Sequence, residues 1–145
     1  MAVVVLFTTL NKEKVAITAT DFVNIMNQKS YMIQDVTSQF AIYDNYVTKG
    51  YIALAYNGVY QIEFYELSSE ENAINMYNFN KEKFKQQKAS VAKETKIENS
   101  NYGQYSLKTN GTYKYISRIG NTIVYLDIDE AYEDTVKDII KEIGY

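Results

Sequence analysis

Three two-residue turn signals constrain the fold of this chain more than any other feature of its sequence. They are Asn57-Gly58, Asn110-Gly111 and Gly120-Asn121. Both central residues of a type I′ turn need positive φ, which Asn-Gly tolerates best. Strand-like runs flank the three dipeptides, at residues 50–56, 59–67, 102–109, 112–119 and 122–128. The sequence therefore predicts two groups of antiparallel strands joined by tight turns.

Amphipathic helices are predicted before, between and after these two groups of strands. They cover about residues 18–29, 68–87 and 130–143, where apolar side chains recur at helical spacing. Thr18 or Thr20 can cap the first helix, and Ser68 and Glu71 have the spacing of a capping box at the start of the second. Gly144 is a suitable stop for the third helix.

A further strand at residues 31–37 completes the element order α-β-β-β-α-β-β-β-α. This order predicts an α+β fold, in which an antiparallel sheet of five to six strands carries about three helices on one face. Residues 89–101 are polar and weakly patterned, so we expect a loop or an irregular edge there. One domain is expected over residues 15–145, after an apolar N-terminal tail at residues 1–14.

The composition removes several classes of function. The 145 residues include no His, Cys, Trp or Pro but 15 Tyr. Imidazole and thiolate chemistry are therefore excluded, and no Gly-rich nucleotide-binding motif is found. The net charge is −3 and Arg118 is the single Arg, which argues against nucleic acid as a partner. We predict no cofactor and no enzymatic activity.

Carboxylates supply the remaining candidates for metal binding or catalysis. An acidic cluster surrounds the start of the third helix, at Asp127, Asp129, Glu130, Glu133 and Asp134. It fails the EF-hand pattern at Ala131 and Tyr132, and acids are also favoured at a helix start by the macrodipole, so Ca²⁺ binding stays open. A carboxylate-based hydrolase would use strand residues such as Glu63, Glu66 and Asp127, although their spacing selects no pair.

Candidate binding residues lie in the last two strands, at Tyr113, Tyr115, Tyr125 and Arg118. Tyrosines in neighbouring strands either form cross-strand pairs that stabilise the sheet or form an exposed stripe for a protein or glycan surface. Arg118 shares a face with Lys114 and Ile116 by alternation. Its guanidinium suits a bidentate contact with either an internal carboxylate or an anionic ligand.

The first ten residues, MAVVVLFTTL, are apolar but too short to span a bilayer, which needs about 20 residues. They are either a strand or tail of the domain, or the distal end of a membrane anchor. The second alternative would place the domain outside the membrane.

Two sequence runs near the C-terminus carry a resemblance. They are residues 117–125 (SRIGNTIVY) and the end of the acidic helix, Glu142-Ile143-Gly144-Tyr145. The chain resembles uncharacterised membrane-tethered or lipoprotein-type extracytoplasmic domains of low-GC Gram-positive bacteria, but it lacks a Cys to acylate. The resemblance implies an extracytoplasmic location with a possible N-terminal membrane tether, and a cytoplasmic location is the alternative.

The sequence favours a non-catalytic interaction domain that binds a protein or cell-envelope partner through a Tyr-rich sheet face. The first alternative is a small-ligand carrier with an apolar cavity between sheet and helices. The second is the carboxylate-based hydrolase.

Overall fold

Seven antiparallel strands form one sheet in the computed structural model, which describes residues 13–41 and 46–145. The strands are β1 (Met32–Asp35), β2 (Val47–Leu54), β3 (Gln61–Leu67), β4 (Ala92–Glu98), β5 (Tyr102–Thr109), β6 (Thr112–Ile119) and β7 (Thr122–Asp129). The helices are α1 (Ala19–Gln28), α2 (Glu70–Gln86) and α3 (Glu133–Ile143). The α+β class is confirmed. The apolar segment at residues 1–10 lies outside the described residues.

The strand order β1-β2-β3-β7-β6-β5-β4 joins two meanders side by side. Strands β1 to β3 follow one another along the chain, and so do β4 to β7. Strand β3 pairs with β7 at the centre, so α2 must carry the chain from the middle of the sheet to its far edge at β4.

Two of the three predicted turns are confirmed as two-residue turns. Asn110 and Gly111 have φ of 49° and 75° between the paired residues Thr109 and Thr112, as a type I′ turn requires. The Gly120-Asn121 turn has positive φ, 55°, at its glycine. The third prediction is wrong in length. Asn57 does adopt positive φ, but β2 ends at Leu54 and β3 begins at Gln61.

Helices cover both faces of the sheet, so the prediction of helices on one face is wrong. Alternation along β3 sends Phe64 to the face covered by α1 and α3, and Tyr65 to the face covered by α2. We call these the α1/α3 face and the α2 face. Strand β6 is buried at every position from Tyr113 to Ile119, because it lies between two helical layers. A strand buried on both faces lacks a solvent-exposed face, so its sequence does not show which side chains point to which face.

The seventh strand is β4, where the sequence predicted a loop or an irregular edge. It forms seven backbone pairs with β5, from Ala92 opposite Thr109 to Glu98 opposite Gly103. All of its side chains except that of Ala92 are exposed. An edge strand that buries neither face shows no apolar alternation, which is why its pattern resembled a loop.

Local signals at the helix ends explain where the helices begin and end. Thr18 and Asp21 form a reciprocal capping box at the start of α1, with contacts of 3.0 and 3.2 Å. Helix α2 is capped by Ser69, whose Oγ accepts the Asn72 N–H at 3.0 Å, rather than by Ser68. Gly144 ends α3 in the left-handed region, at φ 87°.

Candidate functional site

A cleft of about 270 Å³ lies on the α1/α3 face, between α3 and the outer strands β4 and β5. We call it the lysine cleft. It is lined by Lys93, Thr95, Gln104, Ser106, Lys108, Tyr113, Tyr115, Glu133, Lys137, Ile140, Lys141 and Tyr145.

Sheet register and helical spacing bring these residues together. Lys93 pairs with Lys108, and Thr95 pairs with Ser106, so the polar side chains of β4 and β5 project from the same face. Helix α3 supplies Glu133, Lys137 and Lys141 at intervals of four residues, which places them on one side of the helix. The cleft is therefore a groove between a sheet edge and a helix that is lined mainly by polar side chains.

The charge of the cleft is positive, in contrast to the net charge of −3 of the whole chain. Among the described residues, four lysines line it and Glu133 is the one acidic side chain. Glu133 contacts Lys108 Nζ at 2.6 Å and Lys137 Nζ at 2.5 Å. Lys93 and Lys141 form no ion pair within the described residues.

The pKa of Glu133 reflects these two contacts. Burial opposes the charged carboxylate, but hydrogen bonds from Lys108 and Lys137 outweigh it and lower the pKa of Glu133 below its ordinary value. The bond with Glu133 likewise raises the pKa of Lys108. The three groups form a fixed charged cluster that holds two of the four ammonium groups in place.

Hydroxyl groups contribute the neutral polar part of the cleft. Thr95 Oγ1 and Ser106 Oγ lie 2.5 Å apart across the two strands. Burial raises the pKa of both Tyr113 and Tyr115, so their hydroxyls stay protonated at neutral pH. The hydroxyl of Tyr115 is buried and forms no hydrogen bond of good geometry in the described part of the chain, although the neighbouring Ser117 hydroxyl partly opposes the rise in its pKa. A buried polar group without a partner is uncommon in proteins and calls for an explanation.

Two of the four predicted site residues line this cleft, but they do not form an exposed stripe. Tyr113 and Tyr115 are only 3% and 2% exposed. Tyr125 lies on the α2 face and stacks on Phe84, with ring centroids 5.4 Å apart. The exposed tyrosine stripe is therefore a wrong prediction, because helices cover both faces of the sheet at these positions.

Arg118 has the internal partner that was one of its two predicted roles. It is 4% exposed on the α2 face. Its Nη1 lies 3.2 Å from Glu70 Oε1 and 3.0 Å from the Gly120 carbonyl oxygen, and its Nη2 lies 3.4 Å from the Ser100 carbonyl oxygen. These contacts fasten the start of α2 to the β6–β7 turn and so support the structural role.

The three strand carboxylates do not come together. Glu66 lies on the α1/α3 face, where it accepts the Ala19 N–H at 2.6 Å. Asp127 forms an ion pair of 2.8 Å with Lys114 on the α2 face. Glu63 also lies on the α2 face, where it accepts the hydroxyl of Tyr65. The sheet thus separates Glu66 from the other two.

The acidic cluster at the start of α3 is engaged in local contacts. Asp129 Oδ1 accepts the Ala131 N–H at 2.8 Å, as a capping residue does. Asp127 and Glu133 contact lysines. Across residues 13–41 and 46–145, no group of three or more acidic side chains is arranged to hold a metal ion.

Sequence patterns missed the lysines of the cleft. Lys93 and Lys108 are 15 positions apart along the chain but opposite each other in the sheet. The single local signal was the four-residue spacing of Glu133, Lys137 and Lys141, which is equally typical of a solvated helix face.

No protein-family model, no curated protein and no solved structure matches this chain. Among the helices that the structure describes, none is both long and apolar enough to cross a membrane.

Proposed function

We propose that this chain is a non-catalytic binding domain whose lysine cleft takes an anionic group, carried by a small molecule or by a cell-envelope polymer. The observation that carries this proposal is the concentration of four lysines and a single glutamate around one cleft in an acidic chain. A concave site lined by one sign of charge focuses the field and attracts ligands of the opposite sign.

The cleft contains groups for charge and groups for orientation. Lys93 from the sheet and Lys141 from the helix supply ammonium groups without an ion-pair partner in the described residues. Hydroxyls of Thr95 and Ser106 lie between them as neutral donors and acceptors. Oxygen atoms of a phosphate, sulfate or carboxylate match this set, because ammonium groups form strong charge-assisted hydrogen bonds to them.

The size of the cleft favours a compact ligand group. A volume of about 270 Å³ is near the lower end of the range for small-molecule sites. A shallower depression of about 300 Å³ shares Lys93 and Lys108 with the cleft and extends to Glu130. A longer anionic polymer would therefore have room to continue past the cleft along β4 and β5, which fits the predicted extracytoplasmic location.

A carrier of apolar ligands fits the cleft less well, because lysines and hydroxyls rather than Phe and Met line it. Catalysis also fits less well. Glu133, the acidic side chain that the described residues contribute to the cleft, has a lowered pKa and contacts two lysines, which makes it a poor proton donor or acceptor near neutral pH.

Calorimetric titration with inorganic tripolyphosphate and with citrate tests the proposal. We expect binding that weakens with added salt, because exposed charge interactions are screened. Lys93→Gln and Lys141→Gln should each weaken binding by about tenfold, the equivalent of ~1.4 kcal/mol for one charge-assisted contact.

Lys49→Gln is the matched control, because it removes the same charge from an exposed lysine on β2, near the opposite edge of the sheet. Its affinity should equal that of the wild type. Equal losses for the control and for the two cleft variants would mean that anions respond to overall charge, and the proposed site would be wrong.

A further inference from the structure

Strand β4 is the outermost strand at one end of the sheet and is exposed along its length. It pairs with β5 on one side and, within residues 13–41 and 46–145, with no strand on the other. Its sequence, AKETKIE, alternates positive and negative side chains. Edge strands that avoid association are typically short, bulged or protected by charges. Strand β4 carries charges of both signs, which repel an identical strand in some registers and complement it in others.

The charges on the α2 face of β4 are Glu94, Lys96 and Glu98, and Glu98 forms an ion pair of 2.8 Å with Lys81 of α2. Glu94 and Lys96 are two residues apart, on either side of Thr95, and lie opposite Leu107 and Tyr105 of β5. Glu94 contacts Lys88 at 2.7 Å, whereas Lys96 has no ion-pair partner among the described residues. A second strand running antiparallel along this edge would need a carboxylate opposite Lys96.

We propose that β4 pairs antiparallel with β4 of a second copy of this chain, with Thr95 on the two-fold axis. In this register Glu94 of each copy lies opposite Lys96 of the other, which forms two ion pairs across the interface. On the other face, the aliphatic stem of Lys93 lies opposite Ile97 of the second copy, whose side chain is exposed in the single chain.

Charge and length of pairing together select this register. A two-fold axis perpendicular to the sheet places the α2 faces of both copies on the same side of the joined sheet. Only residues of the same face can then lie opposite each other, so each possible register has its axis at one residue of β4. An axis at Glu94 sets two glutamates opposite each other, and an axis at Lys96 sets two lysines opposite each other. An axis at Ile97 sets Lys96 opposite Glu98, but it pairs only residues 96–98, because β4 ends at Glu98. Directly opposed like charges destabilise a strand pair, whereas opposite charges stabilise it.

This pairing has a consequence for the lysine cleft. Lys93 and Thr95 belong both to β4 and to the cleft lining, so the axis would bring the clefts of the two copies side by side on one face. The dimer itself depends only on the charges and register of β4, and it is independent of what the cleft binds.

Analytical ultracentrifugation over a wide concentration range tests the pairing. The wild type should show a reversible monomer–dimer equilibrium. Glu94→Lys or Lys96→Glu alone turns both ion pairs into repulsions, which should weaken the dimer by about thirtyfold. The doubly swapped variant E94K/K96E restores complementary pairs and should dimerise like the wild type.

Mixing the two single variants tests whether the two charge reversals compensate each other across the interface. One copy then presents two lysines and the other presents two glutamates, so the mixture should form a heterodimer much more tightly than either variant forms a homodimer. Lys49→Glu, on β2, is the control and should leave the dimer unchanged. Circular dichroism of each variant confirms that it is folded.

Two results would overturn the proposal. One is a wild type that stays monomeric at the highest concentration, and slow hydrogen exchange of its outward β4 amides would then assign this edge to a segment of the same chain. The other is a dimer that survives both single reversals, because it would have to form through another surface.

Discussion

Replacing Tyr115 by Phe should make the unliganded protein more stable, although it removes a polar group from a buried residue. Tyr115 is 2% exposed on β6, and its hydroxyl lies beside that of Ser117 but forms no hydrogen bond of good geometry among the described residues. Such a group loses its hydrogen bonds to water on folding and gains at most a weak contact in return.

The magnitude follows from two opposing contributions. Removing an unsatisfied buried hydroxyl recovers about 1–3 kcal/mol. The oxygen leaves a void of about 15 Å³, which costs about 0.4 kcal/mol at ~24 cal/mol per Å³. We therefore expect the free energy of unfolding to rise by about 1–2 kcal/mol, which corresponds to a Tm increase of about 3–6 °C in a domain of this size.

Urea denaturation followed by circular dichroism measures this change, and Tyr145→Phe is the matched control. The hydroxyl of Tyr145 is also buried, but it shares a hydrogen bond with Thr122 Oγ1. Its removal should lower the free energy of unfolding by about 1 kcal/mol. A Tyr115→Phe variant that is less stable than the wild type would contradict this prediction, because the hydroxyls of Tyr115 and Ser117 would then form a stabilising hydrogen bond.

Two further predictions concern packing and pH. Gly103→Ala should destabilise the fold by about 1–3 kcal/mol in urea denaturation, because the new Cβ would lie 2.9 Å from Tyr77 Cζ, and an unchanged midpoint would show that the ring can move. The lowered pKa of Glu133 contributes stability that is present above the ordinary value of 4.5 and is lost as pH falls through the folded-state pKa. Glu133→Gln should therefore flatten the acid side of the stability–pH profile, and a profile identical to that of the wild type would contradict the assigned contacts.

The element types were predictable wherever a local signal is strong. Asn110-Gly111 and the capping box at Thr18 each specify a backbone conformation within a few residues. Residues 92–98 carried no such signal, because β4 is held by backbone pairing and buries neither face. Its omission explains why six strands were expected at most and seven are observed.

The distribution of helices over both faces could not be derived from the sequence of β6. Lys114 and Arg118 look like residues of a solvated face, but they are 6% and 4% exposed. Each is buried beside α2 with a carboxylate partner, Asp127 or Glu70. Burial of a charged group depends on a partner from another element, and one strand does not show which element supplies it.

The lysine cleft was not predictable for a related reason. It combines residues from β4, β5, β6 and α3, which are far apart along the chain and form no contiguous sequence motif. Tyr113 and Tyr115 were singled out as members of an exposed surface, whereas the fold makes them part of a cleft lining. Lysines scattered from position 93 to position 141 acquire a common role only when the sheet register and α3 bring them together.

An NMR titration of the wild type with tripolyphosphate, following the backbone amides and the lysine side chains, tests the central claim most directly. We expect chemical-shift changes centred on Lys93, Ser106 and Lys141, with little change at the lysines of α2. Shifts centred on α2, or no shifts at any lysine at millimolar ligand, would contradict the assignment of the lysine cleft as an anion-binding site.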